Sequence, residues 1–248
     1  MSFEGKTVVI TGAGAGVGRS LAIGFCADGA EVIGLGRSRD TLEEAASRCD
    51  GRMRFVVGDV SRESDVDALF AEATRLSGRV DILVNNAAVY PRDEFLAGSH
   101  AAWVQAFEIN VFGTALCCRK ALPGMLERGK GRILNMGSFA WKGPIAGASA
   151  YSSSKAAVSV LTRSIVTEID RARYPDVLVN ELLAGQFKTG MSEIGEHPDA
   201  AYPHARVVAS LPAGGPTGEI FLGSEIYREE AGGLRGRLKR VAQRLVGR

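Results

Sequence analysis

Seven short aliphatic or β-branched runs punctuate the chain: KTVVIT (6–11), EVIGLG (31–36), RFVVG (54–58), DILVN (81–85), RILNM (132–136), DVLVNEL (176–182) and EIFL (219–222). Between them lie stretches of helical length and period, around 17–28, 62–77, 101–122 and 153–172. A strand followed by a helix before the next strand has no hairpin partner, so its neighbour must run parallel and be reached by a crossover. Right-handed crossovers wind such a chain into one open sheet covered on both faces. The expectation is an α/β, Rossmann-like, doubly wound parallel sheet. With 46% hydrophobic and 23% charged residues in 248, there is material for a full core. No Pro/Gly/Ser-rich linker, internal repeat or low-complexity segment interrupts the pattern, so 1–248 is expected to form a single domain.

In such a sheet ligands bind beyond the carboxyl ends of the strands, which directs attention to the loops there. The first strand runs into TGAGAGVGR (11–19). Glycines at such a turn let the backbone bend tightly and approach a phosphate, and the following helix offers its first N–H groups to the anion. The spacing G-x-G-x-x-G is absent, because Arg19 occupies the third position, and no Gly-Lys-Ser/Thr ending makes it a P-loop. What remains is T-G-x-x-x-G-x-G on Thr11, Gly12, Gly16 and Gly18. Further on, SAYSSSKAAVSVL (149–161) sets Tyr151 and Lys155 four apart, on the same face of an expected helix. A cation near a phenol lowers its pKa from about 10, so this pair can exchange a proton near neutral pH.

The remaining features exclude other classes. The N-terminus lacks the basic and apolar regions of a secretion signal, and no uninterrupted apolar stretch approaches the roughly 20 residues of a membrane span. Cys26, Cys49, Cys117 and Cys118 show no C-x-x-C spacing, which points to free thiols in a reducing, cytoplasmic setting and away from metal binding. Six of the 30 Lys and Arg residues, and no acid, fall in 234–248, leaving 24 basic against 28 acidic residues elsewhere. That tail carries Leu234, Leu238, Val241, Ala242 and Leu245 at helical spacing. It is expected as a basic amphipathic helix that docks on this protein or a second subunit in preference to an anionic membrane. A net charge of +2 gives no footing for a nucleic-acid role.

Taken in order, these motifs resemble those of the short-chain dehydrogenase/reductase family, and the likeness extends to about residue 222. Thr11–Gly18 resembles that family's cofactor loop and Asp59 in GDV its adenine contact, while NNAA (85–88) departs from the family's N-N-A-G only at the last residue. Asn110, Ser138, Tyr151 and Lys155 match its four catalytic positions. The resemblance implies a hydride transfer to or from a carbonyl carbon. Tyr151 would act as proton donor, Ser138 as hydrogen-bond partner of the carbonyl oxygen, and Lys155 would lower the phenol pKa and hold the nicotinamide ribose. Asn110 would anchor a water linking Lys155 to solvent. It assigns the cofactor to Thr11, Gly12, Gly16, Val17, Gly18, Asp59, Val60, Asn86, Ala87, Gly185 and Thr189, together with Tyr151 and Lys155. Two departures stand out: Ala184-Gly185 replaces the family's Pro-Gly, and its C-terminal D-G-G is missing after EIFLG.

An acid at the end of the second strand would select NAD(H) through the ribose 2′-OH, whereas an arginine accommodates a 2′-phosphate. Here Gly36 is followed by Arg37, Ser38 and Arg39, which favours NADP(H) over NAD(H). Val89, Tyr90, Pro91, Phe139, Trp141, Pro144, Ile145, Gln186 and Phe187 are expected to wall the substrate, a mostly apolar set suited to a nonpolar or aromatic ketone or alcohol. Residues 190–203 would form a short lid, with His197 and His204 as surface or capping residues. The expected function is therefore an NADP(H)-dependent reductase of a small-molecule carbonyl compound, or the reverse alcohol dehydrogenase, working as a homo-oligomer. A catalytically silent NADP(H)-binding sensor or interaction protein is the alternative.

Overall fold

The computed structural model describes residues 2–190 and 192–228, and the expected basic helix at 234–248 lies outside them. Eight strands form one sheet: β1 (Thr7–Thr11), β2 (Glu31–Gly36), β3 (Met53–Val57), β4 (Ile82–Asn85), β5 (Lys130–Met136), β6 (Asp176–Leu183), β7 (Ile220–Leu222) and β8 (Glu225–Ile226). Their spatial order is β3-β2-β1-β4-β5-β6-β7-β8. The chain builds outward from β1 to β3, then returns to β4 on the other side of β1. The crevice at that reversal, above β1 and β4, is where such sheets bind ligands.

Among the described residues, seven α-helices cover the sheet: α1 (Gly16–Ala27), α2 (Arg39–Ser47), α3 (Glu63–Ser77), α4 (His100–Phe107), α5 (Gly113–Glu127), α6 (Ser149–Thr167) and α7 (Ala201–Ala209). Side chains alternate across a strand, so β1 sends Val8 and Ile10 to one face and Val9 to the other. The first face packs Leu21 and Phe25 of α1, Leu42 of α2 and Val208 of α7, and the second packs Leu69 of α3 and Cys117 and Met125 of α5. Every residue of β1 is buried, which is why TVVIT is continuously apolar apart from its threonines.

The doubly wound parallel sheet is as expected, with one addition at its edge: Gly223 and Ser224 turn the chain so that β8 returns antiparallel to β7. The helical run expected at 101–122 is two α-helices joined by a π-turn at 108–112, and it continues past Pro123 to Glu127. That run, His100–Glu127, is also long and apolar enough to cross a bilayer, which a search for uninterrupted apolar stretches does not reveal. Its apolar face is directed at the sheet, with Cys117, Cys118, Ala121 and Met125 all buried.

Candidate active site

The loop after β1 is built by close approach. Gly12 has φ +68, and a Cβ there would meet Asn86 Nδ2 at 2.9 Å. A Cβ on Gly18 would stand 2.0 Å from the Gly12 carbonyl oxygen, so only glycine lets α1 start this close to the strand end. Thr11 is buried, and its Oγ1 accepts from the N–H groups of Asn86 and Ala87, each at 3.0 Å. The Asn86 amide donates to the carbonyls of Thr11 and Gly12. Thr11 and Gly18 thus shape the loop from behind and do not line the cleft, whereas Gly12, Gly16, Val17, Asn86 and Ala87 do. Ala15 precedes α1 and supplies no side-chain cap, which leaves the first N–H groups of that helix for an anion.

The cleft holds about 1000 Å³ and runs from this loop across the ends of β2 and β3 to the start of α6. Gly36, Arg37, Ser38, Asp59 and Val60 line its far end. Arg39 turns away to pair with Glu43 at 3.7 Å, which separates the two arginines that the sequence left equivalent. Ser38 also caps α2, its Oγ accepting from the Thr41 N–H. Burial pushes the Asp59 carboxyl upward, but the N–H and hydroxyl of Ser61 and the charges of Arg37 and Arg62 outweigh it, so its pKa lies below the ordinary value.

At the opposite end Ser138, Tyr151 and Lys155 meet in the cleft. Ser138 leaves β5 in an extended conformation and its Oγ accepts from Ala140 N–H, starting the short turn Phe139–Trp141. Tyr151 lies in the first turn of α6 and Lys155 one turn later. The Lys155 Nζ donates to the Met136 carbonyl at 2.7 Å and lies 5.8 Å from the centre of the Tyr151 ring. The expected lowering of the phenol pKa is not present in this state: burial pushes Tyr151 above its ordinary value, against an opposing pull from the Ser138 hydroxyl. The Lys155 ammonium serves the Met136 carbonyl and is itself pushed down to about 8 by burial, with the Glu181 charge opposing.

Asn110 occupies the π-turn and is buried outside the cleft. Its Oδ1 accepts from Val89 N–H at 2.8 Å, and its Nδ2 donates to the Val89 carbonyl and to Ser154 Oγ at 2.9 Å. The amide expected to anchor a water is committed to protein groups, and it ties the loop after β4 to α6.

Of the expected substrate wall, Val89, Tyr90, Phe139, Ile145, Gln186 and Phe187 line the cleft, as do Gly185 and Thr189. Pro91, Trp141 and Pro144 do not. His197 caps the turn Pro198–Ala200, and His204 bonds Ser224, so neither reaches the chemistry. Two contributors went unnoticed in the sequence, Arg92 and Glu181. Tyr90, expected in the wall, meets Tyr151 edge-on at 4.5 Å while Arg92 lies over the Tyr90 ring at 4.9 Å, and no spacing rule finds that stack. Glu181 sits beneath the site, and its signal, an acid inside VLVNELL, was there to be read.

A phosphate-cradling loop at the switch point of a parallel sheet, with a phenol, a hydroxyl and a lysine at the other end of one cleft, defines a nucleotide-dependent oxidoreductase. The profile of the short chain dehydrogenase family matches residues 6–198. A probable short-chain type dehydrogenase/reductase of Bradyrhizobium diazoefficiens is 37% identical over 178 residues, 69% of this chain and 63% of that protein, so the match spans less than two thirds of that relative. The (2S)-[(R)-hydroxy(phenyl)methyl]succinyl-CoA dehydrogenase subunit BbsD of Thauera aromatica is 34% identical over 195 residues, 77% of each chain. A solved short chain dehydrogenase/reductase family protein superposes with a TM-score of 0.79 at 30% identity, covering 89% of this chain and 96% of its own. The chain belongs to the short-chain dehydrogenase/reductase family. It is an oxidoreductase of alcohol and carbonyl groups, and the family works with NAD(P)(H).

Proposed function

We propose that the chain is an NADP(H)-dependent reductase of a ketone or aldehyde with an apolar substituent, or catalyses the reverse alcohol oxidation. The observation that carries this is the convergence of Ser138, Tyr151 and Lys155 at one end of a cleft whose other end presents Arg37. When bound, the nicotinamide supplies or accepts a hydride. Gly12, Gly16 and the open start of α1, which line that end of the cleft, would hold the pyrophosphate. Arg37 beside Gly36 suits a 2′-phosphate, where an acid would repel it. Asp59, which lines the cleft and has a lowered pKa, would offer a carboxylate to the adenine amine.

At the substrate end, Ser138 Oγ donates to the carbonyl oxygen and Tyr151 gives up its phenolic proton to the alkoxide forming there. Charged Lys155 then stabilises the phenolate left behind. Tyr90, Phe139, Ile145 and Phe187 give the surrounding wall its apolar character. The Thauera relative, whose name specifies a hydroxy(phenyl)methyl group, is consistent with an aromatic ring beside the reacting carbon. The four thiols, all unpaired and buried, fit a reducing cytoplasm. Exposed Phe112 and Val160 on the outer helices fit a homo-oligomer.

The test is NADPH and NADH oxidation against a panel of aryl and alkyl ketones, aldehydes and charged keto acids. Faster turnover of apolar carbonyls with NADPH is expected. Tight NADPH binding with no turnover across the panel would replace the enzyme by a sensor.

A further inference from the structure

Below the cleft the apolar run of β6 is broken by Glu181. Alternation from Val177 and Val179 puts it on the face that packs against α6. It is fully buried, and among the described residues neither carboxylate oxygen is held by a hydrogen bond of ordinary geometry, the Ser159 hydroxyl being the neutral group near enough to draw on it. A buried carboxylate so weakly held is costly, and its presence calls for a compensating interaction. The chain makes room for it at Gly137, where a Cβ would stand 2.0 Å from Glu181 Oε1. Gly137 joins Met136, whose carbonyl holds Lys155, to Ser138. The carboxylate therefore lies against the peptide linking the lysine's anchor to the catalytic hydroxyl.

The groups facing Glu181 are few. From α6 they are Lys155, Ser159 and Arg163, at successive fourth positions and so along one stripe of the helix. Arg163 is held in the stripe by a bond from its Nε to the Ser159 carbonyl. Just past β5 the Gly137 backbone faces it, and just before β7 the Glu219 carbonyl accepts the Glu181 N–H at 3.0 Å. The Glu219 carboxylate is itself engaged by Arg228. Burial pushes the Glu181 carboxyl up, while the Ser159 hydroxyl, Lys155 and Arg163 draw it back. For Lys155 the facing groups are Tyr151 on its own helix, the Met136 carbonyl and Glu181, and among the described residues Glu181 is the acid whose charge bears on it.

We propose that Glu181 is a positioning residue for proton transfer: its carboxylate is the buried counter-charge that keeps Lys155 an ammonium beside Tyr151, acting from behind the pocket wall without touching substrate or cofactor. The proposal rests on the roles given above to Tyr151 and Lys155. In carbonyl reduction the Tyr151 O–H bond breaks, its proton bonds to the alkoxide oxygen, and the phenolate keeps the electron pair. An ammonium at Lys155 stabilises that phenolate and a neutral amine does not. An anion that acts on Lys155 from behind the wall, outside the cleft that the phenol lines, favours the arrangement in which the lysine holds its proton.

Glu181→Gln keeps the volume and removes the charge. In the pH profile of carbonyl reduction with saturating NADPH, the alkaline limb, where Lys155 loses its proton, should move down by about one pH unit, a tenfold loss of proton affinity. The KM for the carbonyl should stay put, because Glu181 does not reach the cleft. Glu181→Asp, which retains the charge, should restore the limb toward the parent position. An unmoved limb in the glutamine variant, or equal shifts in both variants, would reduce Glu181 to a packing group. A second measurement needs neither variant nor turnover: the Glu181 carboxyl titrated by carbon-13 NMR in the parent chain and in Lys155→Met. Coupling is reciprocal, so loss of the cation must raise the Glu181 pKa by a matching amount. Equal titrations in a chain that reduces carbonyls would overturn the proposal alone. Differing titrations in a chain that reduces none would overturn the reading of its activity instead.

Discussion

Lys155→Met should make the fold more stable at neutral pH while abolishing turnover. Lys155 is 5% exposed, and its pKa is displaced from 10.5 to about 8, chiefly by burial. At 1.4 kcal/mol per pH unit, a displacement of this size disfavours the charged side chain in the folded state by about 3 kcal/mol. The folded pKa lies below the unfolded one, so the unfolded chain binds more protons between pH 8 and pH 10.5, and the parent gains stability as pH rises through that window. Methionine has comparable reach and no charge, so the variant lacks the penalty. It forfeits the bond to the Met136 carbonyl, which is worth about 1 kcal/mol. The net gain is about 2 kcal/mol at pH 7, or about 4–8 °C in Tm for a chain of this size. Urea unfolding without nucleotide, at pH 7 and at pH 10, checks both the amount and the sign. The gain should fade toward pH 10, where the parent has shed its penalty. A variant less stable than the parent at pH 7, or an advantage independent of pH, would refute burial as the cause of the displaced pKa.

Tyr151→Phe removes one oxygen and keeps the ring against Tyr90, so NADPH affinity should hold while turnover falls roughly 10³-fold, with loss of the proton donor added to loss of an oxyanion contact. Steady-state kinetics beside a fluorescence titration of NADPH separates the two effects, and a variant turning over at the parent rate would remove Tyr151 from the chemistry. Gly36→Asp with Arg37→Ala should shift preference from NADPH toward NADH; an unchanged ratio of the two affinities would place the 2′ site elsewhere. Gly18→Ala drives a methyl onto the Gly12 carbonyl, 2.0 Å away, and should cost about 1–3 kcal/mol of stability along with nucleotide affinity. A tolerated alanine in urea unfolding would mean that the loop and α1 can separate without loss.

The parallel frame was legible because fully buried strands read as unbroken aliphatic runs, and all seven runs became strands. β8 was not, since two residues after a tight turn carry no period to detect. The π-turn was equally silent, because Phe107 to Gly113 reads as ordinary helix and the extra residue shows only in how the backbone bonds. At the site, spacing on α6 placed Tyr151 and Lys155 together, and strand ends placed Ser138 and Arg37 at the cleft. Thr11 and Gly18 were assigned to the cofactor, and Asn110 to a water, from the motif positions that the family resemblance supplies, and motif position does not reveal that each spends its capacity on neighbouring backbone or packing. The sense of the Tyr151 pKa was misread for a related reason. Four residues of separation fixes a shared face, but it fixes neither the burial of the phenol nor the Met136 carbonyl that holds the ammonium.

The π-turn between α4 and α5 separates two properties that a regular helix would tie together. Its five residues, at the wider pitch of i→i+5 bonding, sweep about the angle that four sweep in an α-helix, so one extra residue is absorbed locally and the helices on either side keep their facing. Asn110, inside the turn, reaches Val89 and Ser154, while Cys117, Cys118, Ala121 and Met125 beyond it stay on the sheet. Excising a single position between 108 and 112 would restore regular winding and leave those four side chains in register, but would displace Asn110 from its bonds. The tether between the loop after β4 and α6 can therefore be lost from this chain without loss of the core beneath it.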